Sequence, residues 1–98
     1  MPRKPKVPDV PSVSIGSIVT AKPNNESPQI QAFPRIQERM GFISLHSDDQ
    51  VLHNINRGEL CVLLGYVRSE GKGGSVCFIA SFDFRRMGWV RAEYIQEV

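Results

Sequence analysis

The segment that decides the fold is MGWVRAEYIQEV, residues 87–98, with Arg86 directly before it. Its first part, GWV, has the aromatic and β-branched composition of a strand. The next three residues, RAE, predict one tight turn, and the remainder, YIQEV, predicts a closing strand. A strand, a single turn and a last strand indicate a small β-sheet domain that is completed by its C-terminal segment.

The prolines divide the chain into two regions. All seven lie within residues 1–34, and none follows. Because proline fixes φ and lacks a backbone donor, it is excluded from paired central strands. We therefore predict that residues 1–12 form a flexible, proline-rich basic arm and that residues 13–98 form one domain. Residues 24–40 are expected to be a long irregular excursion with one or two helical turns, since Ser27 and Pro28 suit a helix start.

Apolar runs separated by turn residues recur about every ten residues along the domain, which is typical of barrels and sandwiches. They predict strands over residues 14–21, 41–46, 51–55, 59–67 and 76–82, followed by the closing segment. A glycine-rich hairpin loop is predicted over 68–75 and a turn over 83–86. The residues expected to be mostly buried are Ile18, Val62, Leu63, Val76, Phe78, Trp89 and Ile95.

Two segments are similar to the SH3 superfamily, and to its bacterial SH3-like branch more than to its eukaryotic branch. VLHNINRGELCVLL, residues 51–64, resembles the family's short strand, basic-Gly-Glu turn and hydrophobic strand. GWVRAEYI, residues 88–95, resembles its closing Gly-Trp-Val, helical turn and aromatic-aliphatic pair. The resemblance implies an SH3-like small barrel of five or six strands, mostly β, that binds without catalysing. Arg91 and Glu93 replace the proline and asparagine of the eukaryotic closing motif, and only Tyr94 matches it.

Charge and cysteine usage bear on the compartment and on the partners. The formal net charge is +2, and the excess lies in residues 1–40, which carry six Lys or Arg against three Asp or Glu. No signal peptide and no apolar run near the ~20 residues of a membrane span are recognised. Cys61 and Cys77 are offset by about five residues across the predicted hairpin, beyond disulfide reach. We predict free, buried thiols and a cytoplasmic, reducing compartment.

No catalytic arrangement, no metal site and no cofactor are predicted. Cys61 lies in an apolar strand, where thiolate formation is unfavourable. His46, Asp48, Asp49 and His53 place four possible metal ligands within eight residues. Solvated turn carboxylates beside two unrelated histidines explain this group more simply than a metal ion does. We therefore expect a protein that is not an enzyme.

The surface expected to bind a partner centres on the aromatic and basic stretch of residues 82–89. Aromatic side chains beside arginines suit either protein hot spots or stacked bases. The alternative is that Phe82 and Trp89 belong to the core and that the arginines are only solvated. The predicted partner-binding residues are Tyr66, Phe82, Phe84, Arg85, Arg86, Trp89, Arg91 and Tyr94.

Three functional hypotheses follow. The first is a module that mediates protein-protein interaction, and the second is a small accessory or inhibitor protein, for example of phage origin, whose partner is a host enzyme. The third, from a different class, is a nucleic-acid-associated small barrel that uses Arg85, Arg86, Arg91 and the basic arm. Residues 41–98 carry six basic against seven acidic residues, which favours a protein partner over nucleic acid.

Overall fold

Nine β-strands and one short 3₁₀ turn make up the described part of the chain, residues 14–23, 26–47, 52–69 and 74–98 of a computed structural model. The predicted arm, Asp48 and Asp49, and the centre of the predicted 68–75 loop lie outside these ranges. The mostly β class is confirmed, with more strands than the five or six expected. The strands are β1 (Ile18–Ala21), β2 (Gln29–Ala32), β3 (Arg35–Arg39), β4 (Phe42–His46), β5 (His53–Asn56), β6 (Leu60–Val67), β7 (Val76–Ser81), β8 (Met87–Arg91) and β9 (Ile95–Glu97), and the 3₁₀ turn is Ala92–Tyr94.

Five strands form the main sheet in the order β8-β7-β6-β1-β9, and each neighbouring pair is antiparallel. Strand β6 follows the turn at Gly58, which has a positive φ that glycine adopts without steric cost. The register of β6 against β7 places Cys61 opposite Ser81, and a bulge follows at Leu64. The two cysteines are therefore not opposite each other, and both thiols are free and buried, as predicted.

The prediction of an irregular excursion with helical turns over residues 24–40 is wrong for the described positions. Strand β2 pairs with β5, and β3 pairs with β4 as a hairpin. Pro28 and Pro34 flank β2 and do not interrupt it, so neither removes a donor from a paired position. The hairpin closes through Met40 and Gly41, which both have positive φ, as a two-residue type I′ turn requires.

Strand β2 reaches the main sheet at the edge of β8. Phe33 and Trp89 exchange two backbone hydrogen bonds, with N···O distances of 2.9 and 2.7 Å. Gly88 allows this approach, because a Cβ on Gly88 would lie 2.8 Å from the backbone carbonyl carbon of Ala32. The described strands thus form one five-stranded sheet and two two-stranded sheets, and they do not close into a barrel.

The core fills the space between one face of the main sheet and the β2–β5 pair. Side chains on this inner face alternate with outward ones along each strand, as the pleat of a β-strand dictates. Partly buried Tyr66, Tyr94 and Ile95 pack at its margin. The buried core residues are Val19, Ala21, Ile30, Ala32, Ile55, Cys61, Leu63, Cys77, Ile79 and Val90.

The burial predicted from the sequence is correct in part. Leu63 and Val76 are buried, but Ile18 is 45% exposed, so its predicted place in the core is wrong. Ile18 precedes Val19 on β1, and because Val19 faces the core, Ile18 points to the opposite face. The other four predicted core residues, Val62, Phe78, Trp89 and Ile95, are half-buried.

None of the described residues forms a helix with the length and apolarity needed to cross a bilayer.

Candidate binding site

A groove of about 540 Å³ lies between strand β2 and the 3₁₀ turn. Its volume is in the range of pockets that hold a small molecule or a few residues of a peptide. Prolines and aromatic rings supply much of its apolar lining, and three side-chain amides are among its polar groups. The lining residues are Pro23, Ser27, Pro28, Gln29, Ile30, Gln31, Phe33, Leu45, Asn54, Arg91 and Tyr94.

The 3₁₀ turn places Tyr94 in the groove. The backbone N–H of Lys22 donates to the carbonyl oxygen of Tyr94 at 2.6 Å, which ties the turn to the end of β1. The side chain of Tyr94 packs against the core and also lines the groove. The ring of Tyr94 is therefore held from behind, which lowers the conformational entropy lost when a ligand binds there.

Strand β2 contributes Gln29, Ile30 and Gln31 to the groove lining, and its partner β5 contributes Asn54. Ile30 lies opposite Ile55 in the register and is buried, while Gln29 and Gln31 are exposed on either side of it. The side chain of Gln29 donates to Asn56 at an N···O distance of 3.1 Å, which links the two strands. Alternation along β2 thus directs Ile30 toward the core and Gln29 and Gln31 to the opposite side.

Arg91 anchors one end of the groove to two other elements. Its guanidinium donates to the carbonyl oxygen of Ile43 at 2.8 Å and to that of Gly74 at 3.3 Å. These contacts join β8 to β4 and to the β6–β7 connection. Arg91 thus makes two hydrogen bonds within the chain, and these link the elements at this end of the groove.

A second exposed feature, the β7–β8 turn, carries two phenylalanines, Phe82 and Phe84, each 54% exposed. The Ser81 hydroxyl donates to the Asp83 carboxylate at 2.6 Å, and the backbone N–H of Arg85 donates to the same carboxylate oxygen at 3.0 Å. These hydrogen bonds hold the pKa of Asp83 below its usual value.

Phe84 has a φ of 58°, in the left-handed region. This conformation is uncommon for a bulky residue and persists where the surroundings determine it strongly. Its backbone N–H donates to the carbonyl oxygen of Ser81 at 2.8 Å. The β7–β8 turn therefore presents its two rings on a fixed backbone.

Arg86 pairs with Glu59 beside this turn. One guanidinium nitrogen lies 2.8 Å from a Glu59 carboxylate oxygen, and the second nitrogen contacts the other oxygen. The hydrogen bonds from Arg86 are the main reason that the pKa of Glu59 is lowered, and the same bonds raise the pKa of Arg86. The ion pair connects the turn before β6 to the turn before β8.

The structure distributes the eight predicted partner-binding residues over different places. Phe82, Phe84, Arg85 and Arg86 lie together at the β7–β8 turn, whereas Arg91 and Tyr94 line the groove. Trp89 lies on the side of the sheet away from the core, with its ring centroid 5.1 Å from that of Phe78. Tyr66 packs against the core on the inner side.

The groove residues between 27 and 33 were missed from the sequence, because residues 24–40 were interpreted as an irregular excursion. The available signal was QIQA, residues 29–32, whose alternating polar and apolar residues are bounded by Pro28 and Pro34. Such a pattern is typical of a short strand with one buried face.

Three side chains of types that can act in catalysis, Cys61, Cys77 and His53, are buried or hydrogen-bonded within the chain. Burial raises the pKa of the Cys61 thiol to about 11 and that of the Cys77 thiol to about 12, so both are protonated at neutral pH. The Nδ1 atom of His53 is engaged with the backbone of Met87 at 3.0 Å. Within the described ranges no three His, Cys, Asp or Glu side chains are grouped to hold a metal ion.

No protein-family model matches the chain, and no curated protein and no solved structure matches it either.

Proposed function

We propose that the chain is a non-catalytic protein-binding module that takes an extended segment of its partner into the groove. The observation that carries the proposal is the composition of the groove, with prolines, Phe33 and Tyr94 beside the amides of Gln29, Gln31 and Asn54. Rings and prolines bind apolar side chains, while side-chain amides can donate to and accept from a peptide backbone. A groove of about 540 Å³ holds a few residues, which suits a segment and not a folded domain.

The SH3-like resemblance supports the same proposal. Both segments that are similar to the SH3 superfamily contribute to the groove. Residues 51–64 contribute Asn54, and residues 88–95 contribute Arg91 and Tyr94. Two segments that are distant in the sequence thus supply walls of one cavity. Barrels of this superfamily act in binding, and the replacement of the family's proline by Arg91 favours a ligand other than a PxxP segment.

A protein partner is favoured over nucleic acid by the contacts of the arginines. Arg86 is paired with Glu59, and Arg91 donates to two backbone carbonyls. Binding of phosphates by these residues would compete with those contacts, whereas a nucleic-acid site gains its affinity from basic groups that are available to phosphates. An accessory or inhibitor protein would use the same groove, with an enzyme as its partner.

The test is selection of ligands from a displayed library of unstructured peptides, followed by calorimetric titration of the selected peptides. Gln31→Trp places a large ring at the groove and should weaken peptide binding at least tenfold. Gln37→Trp makes the same change at an exposed position of β3 outside the groove and is the control. Selected peptides should bind the Gln37→Trp variant as they bind the unaltered chain.

Two results would contradict the proposal. One is peptide binding that is unaffected by Gln31→Trp, which would place the ligand elsewhere. The other is the absence of any peptide ligand together with micromolar binding of DNA or RNA oligonucleotides at physiological salt. Loss of that oligonucleotide binding in a chain carrying Arg85→Ala and Arg86→Ala would establish the nucleic-acid hypothesis instead.

A further inference from the structure

Strand β2 pairs with β5 along one edge, and the backbone groups at its other edge can be identified from the register. The backbone N–H of Arg57 donates to the carbonyl oxygen of Pro28 at 2.8 Å, so these two residues form a hydrogen-bonded pair. Hydrogen-bonded and non-hydrogen-bonded pairs alternate along two antiparallel strands. Ile30 therefore bonds to β5, whereas the backbone N–H and C=O groups of Gln29 and Gln31 point to the opposite edge of β2.

The contact between β2 and β8 gives the same direction for these groups. Phe33, two residues after Gln31, uses both its backbone groups at the opposite edge, in the hydrogen bonds with Trp89. Continuation of this register would place Gln31 opposite Arg91. Strand β8 ends at Arg91, however, and the chain turns away into the 3₁₀ turn. Among the described residues, no backbone hydrogen bond joins Gln29 or Gln31 to β8 or to the 3₁₀ turn.

The groove lies where these two strands diverge. Gln29 and Gln31 line it on the β2 side and are exposed, and Arg91 and Tyr94 line it on the other side. Each of the two glutamines brings one backbone donor and one backbone acceptor to this edge. Main-chain groups at an exposed sheet edge bind an extended peptide by adding it to the sheet as a further strand. The groove therefore combines the space for an extended segment with the backbone groups that would hold one.

We infer that the segment of the partner binds as a strand added to β2, through the backbone groups of Gln29 and Gln31. The inference rests on the proposed function and specifies how the segment is held and which segments fit. Two residues of the segment, separated by one other, donate to and accept from Gln29 and Gln31, so neither of them is proline. The residue between them lies beside Ile30, which faces the core and lines the groove, so this residue is apolar.

Amide hydrogen exchange of the full chain, measured by NMR, tests the edge itself. In the free chain the protection factor of the Ile30 amide should exceed those of Gln29 and Gln31 at least tenfold, because only Ile30 donates to β5. Saturation with a peptide selected as above should raise the protection factors of Gln29 and Gln31 at least tenfold. A Gln31 amide as protected as that of Ile30 in the free chain would overturn the inference, because the edge would then be paired without a partner. So would a bound peptide that leaves both amides unprotected.

Methylation of the peptide's backbone separates this inference from the proposed function. The selected peptide is synthesised with one amide nitrogen methylated at a time, and each version is titrated by calorimetry. Methylation at the two positions that bond to β2 should weaken binding at least tenfold, and methylation of the residue between them should be tolerated, since its N–H points away from β2. Equal effects at all three positions would overturn the inference and leave the proposed function standing, provided that Gln31→Trp still weakens binding.

A proline substitution tests the same edge from the side of the chain. Gln31→Pro removes the N–H at the free edge without breaking a hydrogen bond to β5, so it should fold and should weaken peptide binding at least tenfold. Glu38→Pro is the matched control, because Glu38 is exposed on β3 outside the groove. Glu38 lies next to Arg39, which is paired with Phe42 across the two-residue turn, so its N–H also points away from the partner strand. A Gln31→Pro variant that is folded by circular dichroism and binds as Glu38→Pro does would overturn the inference.

Discussion

The two faces of the main sheet are built from similar residues but have different surroundings. Leu63 and Leu64 are neighbours on β6, yet Leu63 is 1% exposed on the inner face and Leu64 is 39% exposed at the bulge. The same contrast separates Val19 from Ile18 on β1. Both faces are apolar, but strands β2 and β5 cover only the inner one. The difference teaches that hydrophobicity alone does not identify the core of this protein, because the uncovered face of the main sheet also carries apolar side chains.

The largest expected effect comes from truncating the two neighbouring leucines. Leu63→Ala removes a fully packed side chain and should lower the free energy of unfolding by about 2–5 kcal/mol. Leu64→Ala removes a side chain that is partly in water and should cost less than about 1 kcal/mol. Urea denaturation measures both. Equal losses would abolish the distinction between the faces.

A smaller effect should separate the two glycines that face opposite sides of the sheet. Gly88→Ala places a Cβ 2.8 Å from backbone and side-chain atoms of Ala32, so β2 must shift, at a cost of about 1–3 kcal/mol. Because residues of β2 line the groove, peptide binding should weaken as well. Gly65→Ala brings its Cβ to 3.4 Å from the Cβ of Phe78, an ordinary contact, and should be tolerated. Stability and peptide affinity of Gly88→Ala that equal those of Gly65→Ala would contradict the proposed contact.

The ion pair between Glu59 and Arg86 is partly exposed to solvent. It should contribute at most about 1 kcal/mol to the free energy of unfolding, and this contribution should depend on pH. The folded-state pKa of Glu59 is lowered below 4.5 by Arg86, so the stabilisation is present above pH 4.5 and is lost as the pH falls through the lowered value. Glu59→Gln should therefore be less stable than the unaltered chain at pH 7 and nearly equal to it at about pH 2.

The measurement is a pair of denaturation curves at the two pH values. Glu38→Gln removes a negative charge from an exposed position of β3 and serves as the control for net charge. A stability difference for Glu59→Gln that stays constant with pH would show that the ion pair is not its source.

The smallest effect is expected from the N-terminal residues, which lie outside the described ranges. Residues 1–11 lack an apolar pattern, and their prolines exclude sheet pairing. Deletion of these residues should leave the thermal midpoint within a few degrees. A large loss of stability would mean that the arm packs on the domain.

The strands after residue 58 could be predicted closely from the sequence. The predicted strand 59–67 corresponds to β6 at Leu60–Val67, and the predicted strand 76–82 corresponds to β7 at Val76–Ser81. The predicted tight turn in the closing segment corresponds to the 3₁₀ turn Ala92–Tyr94. Local signals are strong here, because long apolar runs alternate with glycine-containing turns.

The groove could not be predicted, because it depends on pairing between distant segments. Strand β2 is paired with β5 some two dozen positions later, and its end is bridged to Trp89. Nothing within residues 24–40 reveals these partners. The exposed apolar face of the main sheet was missed for another reason. Alternation shows that a strand has two faces, but where both faces are apolar it does not show which one is covered.

The position of β1 has a consequence for the rate and order of folding. Although β1 is the first strand of the described chain, it lies inside the main sheet between β6 and β9, with Thr20 opposite both Leu60 and Gln96. Contacts between such distant positions make loop closure slow, which places folding in the range of milliseconds to seconds. During synthesis β1 has one unpaired edge until β9 has emerged from the ribosome. The sheet is therefore completed only after translation of its last strand, and removal of β9 would leave the backbone of β1 open to pairing with another chain.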